Sequence, residues 1–318
     1  MDDFILPQKH EAFLFDDVQY SIPGLFLFSK LIFNLDEIIY NKFSKSLPIK
    51  YLYGAPVCAW NGGRLLFNVT KQSFEKQSIF EELHLCIAHG FSPLITFSNM
   101  KVEEKDLSDE LCNFILKTVN KIGGEIIVAS EILKKYIHEK YPNIKLHASV
   151  LLTAYNRRDI EFYKKLSEEY SCYVVHPDDN FNFDLLDNIP KNNAEILVNE
   201  RCGFNCKIRK NHYESIAKDQ IDFVKGNYKN QNFLNSCKFM PEIKQSDTKL
   251  RNIALSIREV DVLVNKGFKL LKIQGRVDNY YSFFFDLLRY TLEPEIAFPT
   301  IFPIFAHVIN NYLGEING

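Results

Sequence analysis

The sequence predicts an α/β fold of the (β/α)8 TIM-barrel type, and three observations carry that reading. From residue 50 onward, short β-prone runs alternate with longer amphipathic ones. Eight such β-prone runs fit between residues 50 and 290. Glycine or proline often follows the helical runs, at Gly90, Gly123, Pro142 and Gly267, as a helix stop should. Eight strand–helix units match the barrel in both count and length. A doubly wound sheet would absorb only six or seven of them, and no glycine-rich phosphate fingerprint follows the first run, which weakens a dinucleotide-binding reading.

In chain order the predicted strands cover 50–53, 93–98, 125–129, 144–150, 172–176, 194–199, 252–257 and 270–274. Helices with apolar residues near the 3.6 period are predicted over 72–89, 108–122, 131–141, 159–170 and 258–266. Residues 1–49 hold one predicted helix, over 23–43, and are read as an N-terminal helical extension packing on the barrel. Residues 50–318 form the barrel domain. The stretch 202–251 is too long for one helix and its loops, so it is read as an excursion over the top face after strand 6.

The charge balance of 38 Lys+Arg against 40 Asp+Glu, with no basic stripe, argues against a protein devoted to nucleic-acid backbone. At 46% hydrophobic, with 27 Phe and 16 Tyr, the chain fills a large core and is not disordered. The start, Met-Asp-Asp-Phe-Ile-Leu-Pro, lacks the basic-then-apolar pattern of a secretory signal, so a cytoplasmic location is expected. The apolar stretches 24–39 and 296–309 are interrupted, the second by Pro299 and Pro303, and no membrane span is expected. Seven cysteines, an odd number, read as buried thiols or metal ligands rather than as a disulfide framework.

Barrel chemistry sits at the carboxyl ends of the strands, which nominates Gly54, Asn99, Ser130, Ser149, His176, Asn199 with Glu200, Ser256 and Arg276. Alternation puts Lys272, Gln274 and Arg276 on one side of the last strand, and Lys145, His147 and Ser149 on one side of 144–150. If the apolar sides pack on the helices, these polar sides line the barrel.

The sharpest local feature follows the strand at 194–199, where Cys202 and Cys206 stand four apart. That spacing lets two thiolates share a metal, with Cys237 in the same excursion as a third ligand and Cys58 as a fourth. Arg201, Lys207, Arg209 and Lys210 would offset thiolate charge. The same spacing also describes one turn of a helix core, since cysteine is a small hydrophobe. Cys86, Cys112 and Cys172 lie in apolar periodic runs and read as packing residues. His176, beside Asp178 and Asp179, is a candidate acid–base group or part of a cap. His212 orients a ligand or caps. No nucleophile elbow, HExxH helix or P-loop occurs.

The run from Gly267 to Arg276, Gly-Phe-Lys-Leu-Leu-Lys-Ile-Gln-Gly-Arg, resembles the closing-strand signature of the peptidase U32 family, the collagenase-like peptidases. Asn199, Cys202, Cys206, Arg209 and His212, as Asn-x-x-Cys-x3-Cys-x2-Arg-x2-His, resemble that family's strand-then-cysteine segment. The resemblance implies a TIM-type barrel and a cysteine-bound [4Fe–4S] cluster. It links better understood members to oxygen-independent hydroxylation of ubiquinone precursors or RNA bases, and others to proteolysis. By position Cys202, Cys206 and Cys237 carry over as cluster ligands, while the fourth does not: Cys58 supplies it, or one iron stays open.

The expected function is an iron–sulfur hydroxylase-type enzyme acting on a small or modified substrate at the top of the barrel. His176, Asn199, Gln274 and Arg276 position substrate or move protons, and Arg209 and His212 sit by the cofactor. The alternatives are a U32-type peptidase and a non-enzymatic barrel subunit. A hetero-partner of the same family is a candidate partner; nucleic acid is disfavoured.

Overall fold

The computed structural model describes residues 12–62, 75–154, 156–200, 202–228, 253–275 and 280–317. Eight parallel strands close into a barrel in sequence order: β1 (Gln19–Pro23), β2 (Ile49–Gly54), β3 (Ser92–Phe97), β4 (Glu125–Val128), β5 (Leu146–Ala148), β6 (Cys172–Val175), β7 (Ala194–Leu197) and β8 (Leu270–Lys272). Closure is made by β1, which pairs β2 on one side and β8 on the other. The main helices are α1 (Ser29–Phe43), α2 (Lys76–Ala88), α3 (Glu110–Ile122), α4 (Glu131–Lys140), the short α5 (Val150–Thr153), α6 (Ile160–Glu169), α7 (Phe183–Asn188), α8 (Arg209–Val224), α9 (Ile257–Asn265), α10 (Tyr280–Thr291) and α11 (Phe302–Asn317).

The predicted fold class is the observed one, with one exchange among its strands. Gln19–Pro23 is a barrel strand, so the first β/α unit lies within residues 19–43 and a boundary at 49/50 falls inside the barrel. The short run Gln-Tyr-Ser-Ile-Pro was hidden by the proline at its end, which closes a strand as readily as it opens a helix. Conversely, the described part of 252–257 is not a strand. Ile253 and Leu255 are buried as strand residues would be, and the Leu255 amide donates to the Val198 carbonyl at 2.7 Å. Yet β7 already has β6 and β8 as neighbours, and Ser256 opens α9 through a capping box with Glu259.

Two apolar clusters separate the barrel wall from its interior. The large one lies between strands and helices, while Tyr51, Leu94 and Ile127, with Tyr53 and Leu270 against them, form a small cluster inside. Buried polar groups share that interior. Glu125 of β4 is hydrogen-bonded to His147 of β5, with the Tyr51 hydroxyl 3.3 Å from Glu125 Oε2. Lys272 Nζ donates to Glu195 Oε2 at 2.8 Å and stands 4.3 Å from the centre of the Tyr53 ring. Of the expected inward faces, His147 of β5 and Lys272 of β8 are inside, whereas Lys145 is exposed and Ser149 caps α5; the partners Glu125 and Glu195 carry no signal in the alternation of β5 and β8.

Burial alone would raise the Glu125 carboxyl, but His147, Lys145 and Tyr51 together hold it below the usual carboxylate range. A group depressed in the folded state stabilises above its unfolded pKa, and that contribution disappears as pH falls through the folded value. Glu125→Gln is therefore expected to flatten the acid limb of the stability curve. Urea midpoints taken from about pH 7 to about pH 3 check this, and a parallel fall in both proteins would contradict it.

At the C-terminal end a helical run, Pro294–Gly314, is long and apolar enough by length and composition to cross a membrane, with 28% of its most apolar window buried. It continues through Pro299 and Pro303, read from sequence as breaks, because a π-helical stretch (Ala297–Ile301) absorbs the first and Pro303 falls at the start of α11. Ala297, Ile301, Phe305 and Ile309 form its buried side against the barrel's core.

The excursion follows β7, and its described part is dominated by α8. This helix has 16 residues and is ~24 Å long, enough to cross the barrel mouth. Its start binds the loop after β6 through Arg209 and Asp178. Further along, the Ala217 carbonyl accepts from Asn99 after β3, and Gln220 donates to the Cys58 carbonyl after β2. The described part of the expected top-face excursion is therefore a helix laid over the carboxyl ends of the strands.

Candidate functional site

The strand ends nominated from sequence divide into two groups. Several act as structure: Ser130, Ser149 and Ser256 accept amide hydrogens as N-caps of α4, α5 and α9. Asn99 ties its loop to α8 and to the Asn61 carbonyl. Gly54 lies so close to Leu25 that an added Cβ would fall 2.3 Å from its carbonyl oxygen. The second group meets at the ends of β6, β7 and β8.

There Asn199 and Gln274 form a reciprocal amide clasp. The Gln274 amide N–H donates to Asn199 Oδ1 at 2.7 Å, and Asn199 Nδ2 donates to the Gln274 carbonyl at 2.8 Å and to Asp286 at 2.9 Å. The Gln274 side chain donates to the Asn199 carbonyl and to Glu200 Oε1, both at 3.1 Å. Glu200 Oε1 also accepts the Cys202 amide hydrogen at 2.9 Å. The clasp thus fixes where the cysteine loop leaves the barrel.

Arg209 anchors the other end of that loop. Its guanidinium reaches both carboxylate oxygens of Asp178 at 3.2 Å, the Gly203 carbonyl at 2.8 Å and His176 Nε2 at 2.8 Å, and the side chain is only 5% exposed. A guanidinium can only donate, so Nε2 faces a donor, and Nδ1 faces the Asp178 backbone amide hydrogen at 3.2 Å, which makes His176 the N-cap of the turn after β6. Burial, then Arg158 and Arg209, push the His176 pKa down to about 2, so the ring is neutral at ordinary pH. His176 is a buried acceptor for Arg209 rather than an open base. His212, also nominated, lies in the first turn of α8 and is half-buried.

Of the six described cysteines, Cys58, Cys86, Cys112 and Cys172 are buried, and only Cys202 and Cys206 are partly exposed. Burial pushes the Cys202 thiol up to about 11; Arg209 opposes that shift and Cys206 adds to it, which places both neighbours within electrostatic range. Cys58 lies elsewhere: it is 1% exposed and hydrogen-bonds with Cys112 of α3. No group of three His, Cys, Asp or Glu side chains among the described residues could hold a metal ion. Cys58 therefore does not join Cys202 and Cys206, because its loop turns inward against α3. Cys237, Arg276 and Arg201 lie outside the described residues. Two soft donors beside a buried cation suit a thiolate-bound centre as a partial ligand set.

Fold and site together define a closed (β/α)8 barrel with a half-exposed two-cysteine loop at its carboxyl face, bridged by a helix. No family model and no curated protein matches the chain. Among solved structures, one described as "The Structure of the U32 Peptidase Mk0906" is similar to it, with TM-score 0.49 and 10% identity over 81% of this chain and 93% of that one.

Proposed function

We propose that this chain is an iron–sulfur-dependent enzyme of hydroxylase type whose cluster is held by Cys202, Cys206 and Cys237, acting on a small or modified substrate at the carboxyl face of the barrel. The observation that carries the reading is the contrast among cysteines: the two on the β7–α8 loop are half-exposed at the catalytic end, while the other described ones are sealed in the core. When bound, such a cluster supplies one-electron chemistry. The chain's own residues orient and insulate it. Arg209 keeps a fixed positive charge behind the two sulfurs, Glu200 holds the Cys202 amide, and the Asn199–Gln274 clasp fixes both to the barrel. Arg276 is proposed to position substrate.

A peptidase reading has less to stand on. A cysteine nucleophile needs a neighbouring base to take its proton, whereas the His176 ring directs Nε2 at the Arg209 guanidinium. Anaerobically purified protein is expected to be brown and to contain iron and acid-labile sulfide. Cys202→Ser should lose most of both, while Cys58→Ser should keep them. Iron-free wild-type protein that cleaves peptides would overturn the proposal in favour of the hydrolase. Iron-free protein recovered only with a second subunit would favour the non-enzymatic reading.

A further inference from the structure

We infer that the cleft between α8 and the loop after β3 is a binding site for a small, singly charged carboxylate. The cleft has a volume of about 460 Å³, within the usual size of small-molecule sites, and its rim carries charged and polar side chains whose stems leave about half of the lining apolar. Four lysines and three carboxylates contribute to it. Three lysines are paired: Lys225 with Asp106 at 2.8 Å, Lys101 with Glu214 at 3.5 Å, and Lys105 with Glu103. Lys218, exposed on α8, makes no ion pair among the described residues. Asn211 and Ser215 line the same cleft at helical spacings from Lys218. The donors on offer are one uncompensated ammonium, one hydroxyl and one amide. That set suits a carboxylate carrying a hydroxyl neighbour.

Phosphate fits less well, because it carries close to two charges and would face three carboxylates with one spare cation. Asp106 does not release its partner readily: although burial acts to raise it, Lys225, the Glu103 amide and Lys105 hold it below the ordinary carboxylate range. The walls are also fixed in advance. Trp60 Nε1 donates to the Asp106 carbonyl at 2.8 Å, Glu103 and Asp106 form a capping box, and Asn99 ties the loop to α8. A ligand entering this cleft therefore meets little ordering cost.

The inference does not depend on what the cysteines hold, so iron-free protein serves for its test. Calorimetric titration with sodium glycerate at low ionic strength is expected to show binding, and glycerol none. Lys218→Met should weaken glycerate about tenfold and Ser215→Ala less, with unchanged thermal melts, since both side chains lie outside the core. Equal binding of glycerol, an unchanged affinity in Lys218→Met, or phosphate binding tighter than glycerate would each overturn it. If Lys218→Met fails to fold, glycerate-induced amide shifts in the wild type decide the matter: they support the site if they map to α8 residues 211–225 and refute it if they fall elsewhere.

Discussion

Arg209→Met is expected to destabilise the protein by about 3–5 kcal/mol, the range for breaking a buried ion pair by removing one partner. The side chains of Arg209 and Asp178 are 5% and 6% exposed, so solvent cannot screen the carboxylate that remains. Methionine fills much of the stem volume, which leaves the effect to charge and hydrogen bonding. Four acceptor atoms lose a donor at once: both Asp178 oxygens, the Gly203 carbonyl and His176 Nε2. Arg209→Lys should recover only part, since an ammonium cannot reproduce the planar fork. Adding Asp178→Asn to Arg209→Met should also restore part of the loss by removing the stranded charge. Urea unfolding of the four proteins measures this. A loss below about 1 kcal/mol in Arg209→Met would mean that the network is solvated, and the rigid β7–α8 loop would go with it.

The sequence made the barrel legible because its signals are local. Alternating runs, glycine stops such as Gly123 in the left-handed region at φ 78, and caps such as Asp109 on α3 are written within a few residues of where they act. The first strand escaped because its five residues offer only two outward apolar side chains, Tyr20 and Ile22, and its identity is settled by closure with β8 across the whole chain. The site shows the same division. The Cys202–Cys206 loop is visible as a motif, and the inward positions of His147 and Lys272 follow from alternation. That Arg209 would be spent on Asp178, and Cys58 on Cys112, depends on how α8 crosses the mouth, and no spacing in the chain encodes a crossing. The α8 cleft was missed for the same reason: Lys101 and Lys218 meet only in space.

Glu195→Gln is expected to cost about as much as the Arg209 change, about 3–5 kcal/mol, because it leaves the Lys272 ammonium inside the barrel without a counter-ion. The carboxylate is 1% exposed and the lysine side chain 10%. The replacement amide is nearly isosteric, so packing is held constant and only the charge is lost. The informative comparison is the double change Glu195→Leu with Lys272→Met. Removing both charges also removes both desolvation costs, and Glu195 Oε1, buried with no hydrogen-bond partner among the described residues, disappears with them. The double variant should thus be close to wild type, or more stable by about 1–4 kcal/mol. That outcome would mean that the pair opposes stability on balance, and that an apolar interior of the kind usual for this architecture would hold the barrel better. A double variant as unstable as Glu195→Gln would instead show that the ion pair, with Lys272 lying over the Tyr53 ring, is needed to hold β7 and β8 in register.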